Sequence, residues 1–250
     1  MSWSSRRRGI YFGIFGILIL VVFSIFYYFF FYQAPTCFDG KQNQNEEGID
    51  CGGVCPVVCS FETADPIVLW ARTFEVSQSF YNFFALIENP NIDAKAYNVP
   101  FSFRVYDKDN ILIQERRGKI DILPRVIMPV FERTVDVGNR VPVRTIFEFT
   151  DNPVWIETQE EQPNLSVGSK DLINLETAPL LKTSIQNKTT KTINDIEITA
   201  IIYDNNGNAI NISQTIIDSL IKNQSKDIVF TWSKPFDRDP VRIEIIPLVK

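Results

Sequence analysis

The sequence contains no histidine among its 250 residues. That absence excludes a Ser-His-Asp or Cys-His relay, an imidazole general base, and any zinc or haem site that needs an imidazole ligand. Any chemistry would have to depend on carboxylates, lysine or cysteine. The chain also lacks a P-loop, a G-x-G-x-x-G fingerprint and a G-x-S-x-G turn. We therefore expect a protein that is not an enzyme and has no catalytic residues.

Concentrated positive charge is also scarce. Residues 33–250 carry 22 Lys and Arg against 30 Asp and Glu, a net charge of −8, and no basic run after Arg8 is longer than Arg116-Arg117. Because phosphate backbones are bound by clustered Lys and Arg, we expect no nucleic-acid partner. The 11 glycines and 14 prolines exclude collagen-like and low-complexity classes. The length suffices for one large domain or two small ones.

Charge is missing completely from Gly9 to Tyr32, where 24 residues are almost all apolar. As a helix this segment would be about 36 Å long, enough to cross a hydrocarbon core of roughly 30 Å. Three arginines precede it, Arg6 to Arg8. The positive-inside rule then predicts a cytoplasmic tip over residues 1–8, a single-pass membrane anchor over 9–32, and an extracytoplasmic region from residue 33.

A cleaved signal peptide is the alternative interpretation of the same segment. Signal peptides have an apolar region of about 7 to 15 residues and end in a small-x-small cleavage site. This segment is longer and ends in aromatic residues, among which Tyr27, Tyr28 and Tyr32 would form an interfacial belt. We therefore favour an uncleaved anchor in the cell membrane.

All four cysteines fall within 23 residues, at Cys37, Cys51, Cys55 and Cys59. An even number just outside a membrane predicts two disulfides, for which three pairings are open. The alternative is a zinc site of four thiolates, which usually shows two C-x2-C pairs. The cysteines here do not have that spacing, and we do not expect a reducing compartment outside the membrane. We therefore predict a disulfide module over residues 35–60.

The segment between the first two cysteines is rich in oxygen donors. Its carboxylates and amides, with glycines that allow tight turns, are of the kind that Ca²⁺ prefers. The segment departs from the EF-hand pattern, and a solvated acidic loop closed by disulfides is the alternative. The predicted calcium ligands are Asp39, Asn43, Glu46 and Asp50.

The same segment carries the pattern C-x-D-G-x-x-N-x-x-E-x-x-x-D-C-G-G-x-C, from Cys37 to Cys55. It resembles a short module of bacterial envelope proteins, found in the candidate-phyla (Patescibacteria-like) group and in Bacteroidetes. The resemblance covers about 23 residues and implies a disulfide-bonded, calcium-binding element. The three-residue gap before Cys59 departs from the commoner two-residue gap.

The rest of the chain contains an internal repeat. Residues 98–107 align with 195–204 at an offset of 97, and residues 140–144 align with 238–242 at an offset of 98. Asn89 aligns with Asn187 and Leu123 with Leu220. Two copies of one domain are the economical interpretation, and we place them at residues 62–158 and 161–250.

Each copy alternates apolar and polar residues with a period of two, as half-buried strands do. Val99, Phe101, Phe103 and Val105 would share one face, as would the aligned residues of the second copy. Turn residues separate the segments. We therefore predict an all-β region of two tandem Ig-like or fibronectin-like β-sandwiches, joined as a semi-rigid rod by the acidic linker 157–163.

The order of strand, Tyr-Asp pair and turn resembles the FxLYD and late-embryogenesis-abundant type 2 group of sandwiches. The pairs are Tyr106-Asp107 and Tyr203-Asp204. The resemblance implies a sandwich fold in an extracytoplasmic setting and carries no activity. We expect the Tyr-Asp pairs to have a structural role at strand ends.

Other features favour packing over function. The apolar stretches 80–86 and 126–131 are sufficiently hydrophobic to bind a partner, but core packing is the commoner cause. Trp70, Trp155 and Trp232 are expected in a core or at a domain junction. The carboxylate pairs Glu160-Glu161 and Asp237, Asp239 are expected to be solvated loop charge.

Together these features predict a non-catalytic, membrane-anchored binding or scaffolding protein of the cell envelope, with a protein or envelope partner. The alternative is a subunit of a membrane-embedded secretion or pilus-type assembly. An enzyme is the third and weakest interpretation.

Overall fold

The computed structural model describes residues 3–31, 36–43 and 45–249, without the side chains of residues 3–8 and 31. Tyr32 and Pro35, which bound two of the predicted segments, lie outside the described residues, as do Met1, Ser2 and Lys250. The chain divides into two compact units, residues 1–55 and 56–250. The two units are described separately.

The first unit begins with helix α1, Trp3–Phe31. Within it, Gly9–Phe30 forms a 22-residue span with a mean hydropathy of 2.6 and no burial against protein. Such a helix is long and apolar enough to cross a membrane as an anchor or to serve as a signal sequence. The disulfide-bonded loop that completes the unit is built from turns, with one isolated bridge between Gly48 and Cys51.

The second unit consists of β-strands. Their alternating sequence pattern is typical of strands that bury one face. The strands are β1 Ile67–Ser77, β2 Phe80–Glu88, β3 Ala94–Tyr106, β4 Leu112–Ile122, β5 Ile127–Asp136, β6 Arg144–Phe149, β7 Trp155–Glu157, β8 Leu165–Val167, β9 Asp171–Ile173, β10 Leu180–Asn187, β11 Ile193–Tyr203, β12 Ala209–Leu220, β13 Ser225–Thr231 and β14 Arg242–Val249.

Strands β1 to β7 form the first sandwich. One sheet has the order β1-β2-β5 and the other β4-β3-β6, with β7 also paired to β3. The core between the sheets includes Phe83 and Ile87 of β2, and Phe101, Phe103 and Val105 of β3. The predicted alternation of buried residues along β3 is therefore confirmed.

Strands β8 to β14 form a second sandwich with the same arrangement. Its sheets have the orders β13-β10-β8, with β9 on β10, and β12-β11-β14. Its core contains Ile196, Ile198, Ala200 and Ile202 of β11, packed against Phe230 of β13. The strands of the two sandwiches span residues 67–157 and 165–249, inside the boundaries predicted for the two copies.

A third apolar cluster joins the two sandwiches. It contains Phe74, Phe84 and Leu86 from the first sandwich, packed with Ile201 and Ile212 from the second. The sandwiches therefore meet side by side through sheet faces, and not only through the linker as a rod would. This contact explains why strand β2 is apolar on both of its faces.

Packing accounts for most of the apolar stretches 80–86 and 126–131, although Phe80 and Ile127 are exposed. Phe83 faces the first core and its neighbour Phe84 faces the cluster between the sandwiches, and both are fully buried. Trp155 lies in the first core, Trp232 in the second, and Trp70 against the third cluster. The expectation of core and junction positions for the tryptophans is confirmed.

Candidate functional site

The cysteines are fully oxidised. Cys37 and Cys55 form a disulfide, and Cys51 and Cys59 are disulfide-bonded as well, so no cysteine is free. The Cys37–Cys55 bond selects one of the three pairings that the sequence left open. Since a disulfide sulfur is not a thiolate, the alternative of a four-cysteine zinc site does not fit this structure.

The acidic residues of the loop between Cys37 and Cys51 form one hydrogen-bonded network. The carboxylate of Asp50 accepts hydrogen bonds from the backbone N–H groups of Asp39, at 3.0 Å, and Gly40, at 2.9 Å. Oε2 of Glu46 accepts one from the N–H of Asn43 at 3.0 Å and a longer one from that of Asp50 at 3.4 Å. The structure thus brings together all four residues predicted to bind calcium.

The carboxylate of Asp39 belongs to the same network. Its carboxylate accepts from Nδ2 of Asn43, at 3.0 Å, and from the backbone N–H of Lys41, at 3.0 Å. Burial alone would raise the pKa of Asp39, but the hydrogen bonds from Asn43, Thr36 and Lys41 outweigh it and lower that pKa. The carboxylates therefore serve as acceptors that order a segment without regular secondary structure.

Glu46 is the most buried acid of this loop, at 6% exposure. Its Oε1 lies 3.1 Å from Sγ of Cys55. Because that sulfur is in a disulfide and carries no proton, the approach is a packing contact and not a hydrogen bond. The disulfide therefore lies directly against the buried glutamate.

The network does not have the geometry of a calcium cage. Oxygens that share one Ca²⁺ converge on it at 2.3–2.6 Å, which keeps them within about 5 Å of one another. In the described part of the chain, the acidic or cysteine side chains that come within 4.8 Å of one another in a group of three are Cys37, Glu46 and Cys55. Asp39, Glu46 and Asp50 do not form such a group.

One atom favours a cation in this loop. Oδ1 of Asn43 is buried and has no hydrogen-bond partner among the residues that the structure describes. The backbone N–H groups that donate to the carboxylates argue against a bound cation, because an ion would have to displace these donors. As arranged, the residues do not fit calcium, and the calcium prediction stays a prediction.

Two glycines fix the path of the chain beside the network. Gly52 and Gly53 both adopt positive φ, at 71° and 61°. A Cβ on Gly53 would lie 2.0 Å from the backbone oxygen of Asn45, and one on Gly52 would lie 2.7 Å from Cβ of Glu47. The Gly-Gly pair of the sequence pattern is therefore a steric requirement.

The two sandwiches carry the same side-chain clamp at equivalent positions. Nδ2 of Asn89 donates to the carbonyls of Ala94 and Leu123. In the second sandwich, Nδ2 of Asn187 donates to those of Lys191 and Leu220. Sequence alignment paired these asparagines, but no motif indicated that they would be buried and bonded in this way.

The Tyr-Asp pairs stabilise strand ends. Oδ1 of Asp204 accepts from the N–H groups of Asn206 and Asn208, and its Oδ2 accepts from Nη1 of Arg238 at 2.8 Å. Asp107 makes the equivalent contacts with the turn after β3 and with Arg140. The expected structural role of these aspartates is thus borne out by their contacts.

Electrostatics at these strand ends follow from the contacts. The hydrogen bond from Arg238 lowers the pKa of Asp204. The N–H of Ile111, together with Arg140, lowers that of Asp107. Burial raises the pKa of Tyr203 to about 12, with Glu244 contributing.

A cleft opens beside the contact between the sandwiches. Its volume is about 610 Å³, and its lining includes three arginines, Arg72 of β1, Arg144 of β6 and Arg238 of the β13–β14 connection. Two threonines and Asn208 complete the polar part of the lining, which contains no carboxylate. A smaller cavity of about 200 Å³ adjoins it and is lined in part by Asp237. Sequence reasoning did not predict this cleft, since its residues are far apart in the chain.

The carboxylate pairs flagged in the sequence form no convergent site. Glu160 is ion-paired to Lys95 at 2.7 Å, and Glu161, Asp237 and Asp239 are exposed. Their arrangement is that of loop charge at the surface.

Comparisons with known proteins give only distant matches. No family model and no curated protein matches the chain. Among solved structures, a red sea bream transglutaminase matches at 12% identity and a TM-score of 0.22, over 73% of this chain and 31% of that one. A Bacteroides uniformis β-glucuronidase matches at 13% identity and a TM-score of 0.23, over 64% of this chain and 22% of that one.

The chain thus spans less than a third of the length of either of these two proteins. Likeness at this level indicates neither a family nor an activity.

Proposed function

We propose that this chain is a single-pass, N-terminally anchored protein of the cell envelope that binds or scaffolds a partner outside the cytoplasm, without catalysis. The observation that carries the proposal is the order of two elements along the chain. An apolar helix that ends at Phe31 is followed by a module whose cysteines are all disulfide-bonded. Disulfides persist in oxidising compartments, which supports an extracytoplasmic module and, with Arg6 to Arg8, a cytoplasmic N-terminus.

The packing of the β region supports a binding role. The shared apolar cluster joins the two sandwiches into one body, so a surface made from both keeps a fixed shape. A preformed surface lowers the entropy lost on binding. The equivalent asparagine clamps and Asp–Arg pairs support the inference that the two sandwiches are copies of one Ig-like domain.

Membrane topology is the first test. The full chain, with a C-terminal tag, is expressed in bacteria, and protease is added to spheroplasts. We expect the tag to be removed without lysis and the cysteines to resist alkylation before reduction. A matched variant with Arg6, Arg7 and Arg8 changed to Glu should lower the fraction with this topology. A protected tag with free thiols in the unmodified chain would contradict the proposal.

The binding role is tested by crosslinking in the native membrane. We expect a partner that is crosslinked at extracytoplasmic lysines and is lost when the β region is removed. Stoichiometric copurification of other membrane subunits through the helix alone would instead support the assembly-subunit alternative.

A further inference from the structure

Three large apolar side chains of the disulfide module are exposed to solvent. They are Phe38, at 80% exposure, Ile49, at 63%, and Val54, at 60%. Phe38 is more exposed than any other large apolar side chain among the described residues. Removing such side chains from water is favourable, and exposed apolar side chains that are grouped together mark interaction surfaces.

The contacts of the module hold these three residues around one disulfide. Phe38 and Val54 are the chain neighbours of the disulfide-bonded cysteines, whose Cα atoms are 5.6 Å apart. Ile49 precedes Asp50, whose carboxylate accepts hydrogen bonds from the backbone N–H groups of the two residues that follow Phe38. The three residues therefore lie close together, and we call them the apolar patch.

The covalent chain keeps the apolar patch near the end of the apolar helix. Helix α1 ends at Phe31, seven residues before Phe38. Seven residues of fully extended chain span about 25 Å at most. As a membrane span, Gly9–Phe30 would be about 33 Å long, against roughly 30 Å for the hydrocarbon core, so that it ends at the lipid headgroups. The headgroup region is therefore within reach of the patch.

The charge of the module decides between possible occupants. Residues 36–55 contain four carboxylates and one lysine, a net charge of −3. Two such modules repel each other, which disfavours a second copy of this chain, and anionic headgroups are disfavoured for the same reason. A zwitterionic lipid surface has no such penalty, and the tether keeps it at a high effective concentration.

We infer that the apolar patch inserts into the zwitterionic headgroup region of the membrane that α1 crosses. Apolar side chains at a membrane surface are stabilised there by the apolar area that they bury. The patch thus gives the module a second contact with the bilayer beside the helix. The inference rests on the proposed function, because it requires an uncleaved anchor.

The experiment is photocrosslinking of the full chain in phosphatidylcholine vesicles. Benzoylphenylalanine replaces Phe38, Ile49 or Val54, one position in each variant, and mass spectrometry identifies the adducts. We expect lipid adducts at all three positions, at a yield at least fivefold above that from Val241, an exposed valine of the second unit. Because the probe reacts only with groups that it touches, the tether alone gives no adduct.

A charge placed in the patch tests the insertion. In the chain with the probe at position 54, Phe38→Asp should lower the yield of lipid adduct at least fivefold, since a carboxylate opposes burial in lipid. The control is Val143→Asp, which puts the same carboxylate at an exposed apolar residue outside the module and should change the yield less than twofold. Alkylation followed by mass spectrometry verifies that each variant is fully oxidised. Replacing phosphatidylcholine by anionic phosphatidylglycerol should also lower the yield.

Four results would overturn the inference: no lipid adduct at the three positions, an equal yield at Val241, adducts to protein in place of lipid, or a higher yield in phosphatidylglycerol. None of these contradicts the proposed function if the topology and crosslinking tests succeed, because α1 alone would hold the chain in the membrane. A mature chain that has lost α1 would contradict the proposed function, and its mass reveals this without the probe.

Discussion

At the scale of single residues, buried asparagines and aspartates form the hydrogen bonds that fix the ends of the strands. Asn187 is fully buried and satisfies two carbonyl oxygens and the N–H of Thr189. Buried backbone groups that lose their partner cost about 1–3 kcal/mol each. These side chains therefore contribute to stability although they lie outside the apolar core.

We expect Asn187→Ala to lower the free energy of unfolding by about 1–3 kcal/mol, because the buried carbonyl of Leu220 loses its side-chain donor, whereas the carbonyl of Lys191 keeps the hydroxyl of Thr189. Denaturant unfolding of the full chain in detergent measures the loss. The equivalent change Asn89→Ala should cost a similar amount. Asn164→Ala, at an exposed position, is the control and should cost little; equal losses at positions 164 and 187 would refute the clamp.

Acid should destabilise the sandwiches through Asp107 and Asp204. Their pKa values are lowered in the folded protein from the ordinary 3.8, so their contribution is complete above that value and is lost as pH falls below it. We expect the melting temperature to drop in this window, and less steeply in Arg238→Gln. Lys170 donates to a backbone carbonyl and pairs with no carboxylate among the described ion pairs. Lys170→Gln should therefore leave the slope of melting temperature against pH unchanged. A slope unaffected by Arg238→Gln would argue against this origin.

At the scale of elements, the disulfide module shows how a loop can be ordered without helix or strand. Carboxylates accept its backbone N–H groups, while two positive-φ glycines allow close approach of the chain. The sequence pattern indicated disulfides and a cluster of oxygen donors. It did not show that the donors would be directed at one another, because that depends on where each turn aims its side chains.

Gly53→Ala should prevent correct oxidation of the module. A Cβ there would collide with the oxygen of Asn45, whereas Gly40 has the same sign of φ and open space around it. Gly40→Ala should therefore cost only about 1–2 kcal/mol, the ordinary cost of a left-handed residue. Mass spectrometry after alkylation counts the free thiols of each variant. Full oxidation of Gly53→Ala would refute the steric argument.

Calcium should leave the module unchanged if the hydrogen-bonded network is its complete form. We expect the same melting temperature in excess Ca²⁺ and in EDTA, since the carboxylates are already occupied by N–H donors. A rise in melting temperature with Ca²⁺ that disappears in Asp39→Ala would instead support the sequence prediction of a calcium site.

At the scale of the whole β region, the two sandwiches behave as one body because they share an apolar cluster. Strand β2 lies at the centre of this arrangement. Its odd-numbered residues Phe83, Ala85 and Ile87 face the first core, and Phe84 and Leu86 face the second sandwich. The two neighbouring phenylalanines therefore report on different contacts.

We expect Phe84→Ala to separate the unfolding of the two sandwiches. Truncating a buried phenylalanine costs about 3–5 kcal/mol, and here the loss falls on the contact that couples them. Calorimetry should show one transition for the unmodified chain and two for this variant. Phe83→Ala removes the same volume from the first core and should lower a single transition; a single transition in both variants would contradict the coupling.

The sequence by itself determined the apolar helix, the oxidised cysteines and the strands of the two β-sandwiches, because each depends on local pattern: a charge-free run, cysteine spacing, and alternation with period two. Only the tertiary structure decided which cysteines pair, that the predicted calcium ligands bond to one another, and that the arginines of three distant segments meet at one cleft. Periodicity states which face of a strand is buried, but the partner that buries it is chosen by packing across the whole molecule.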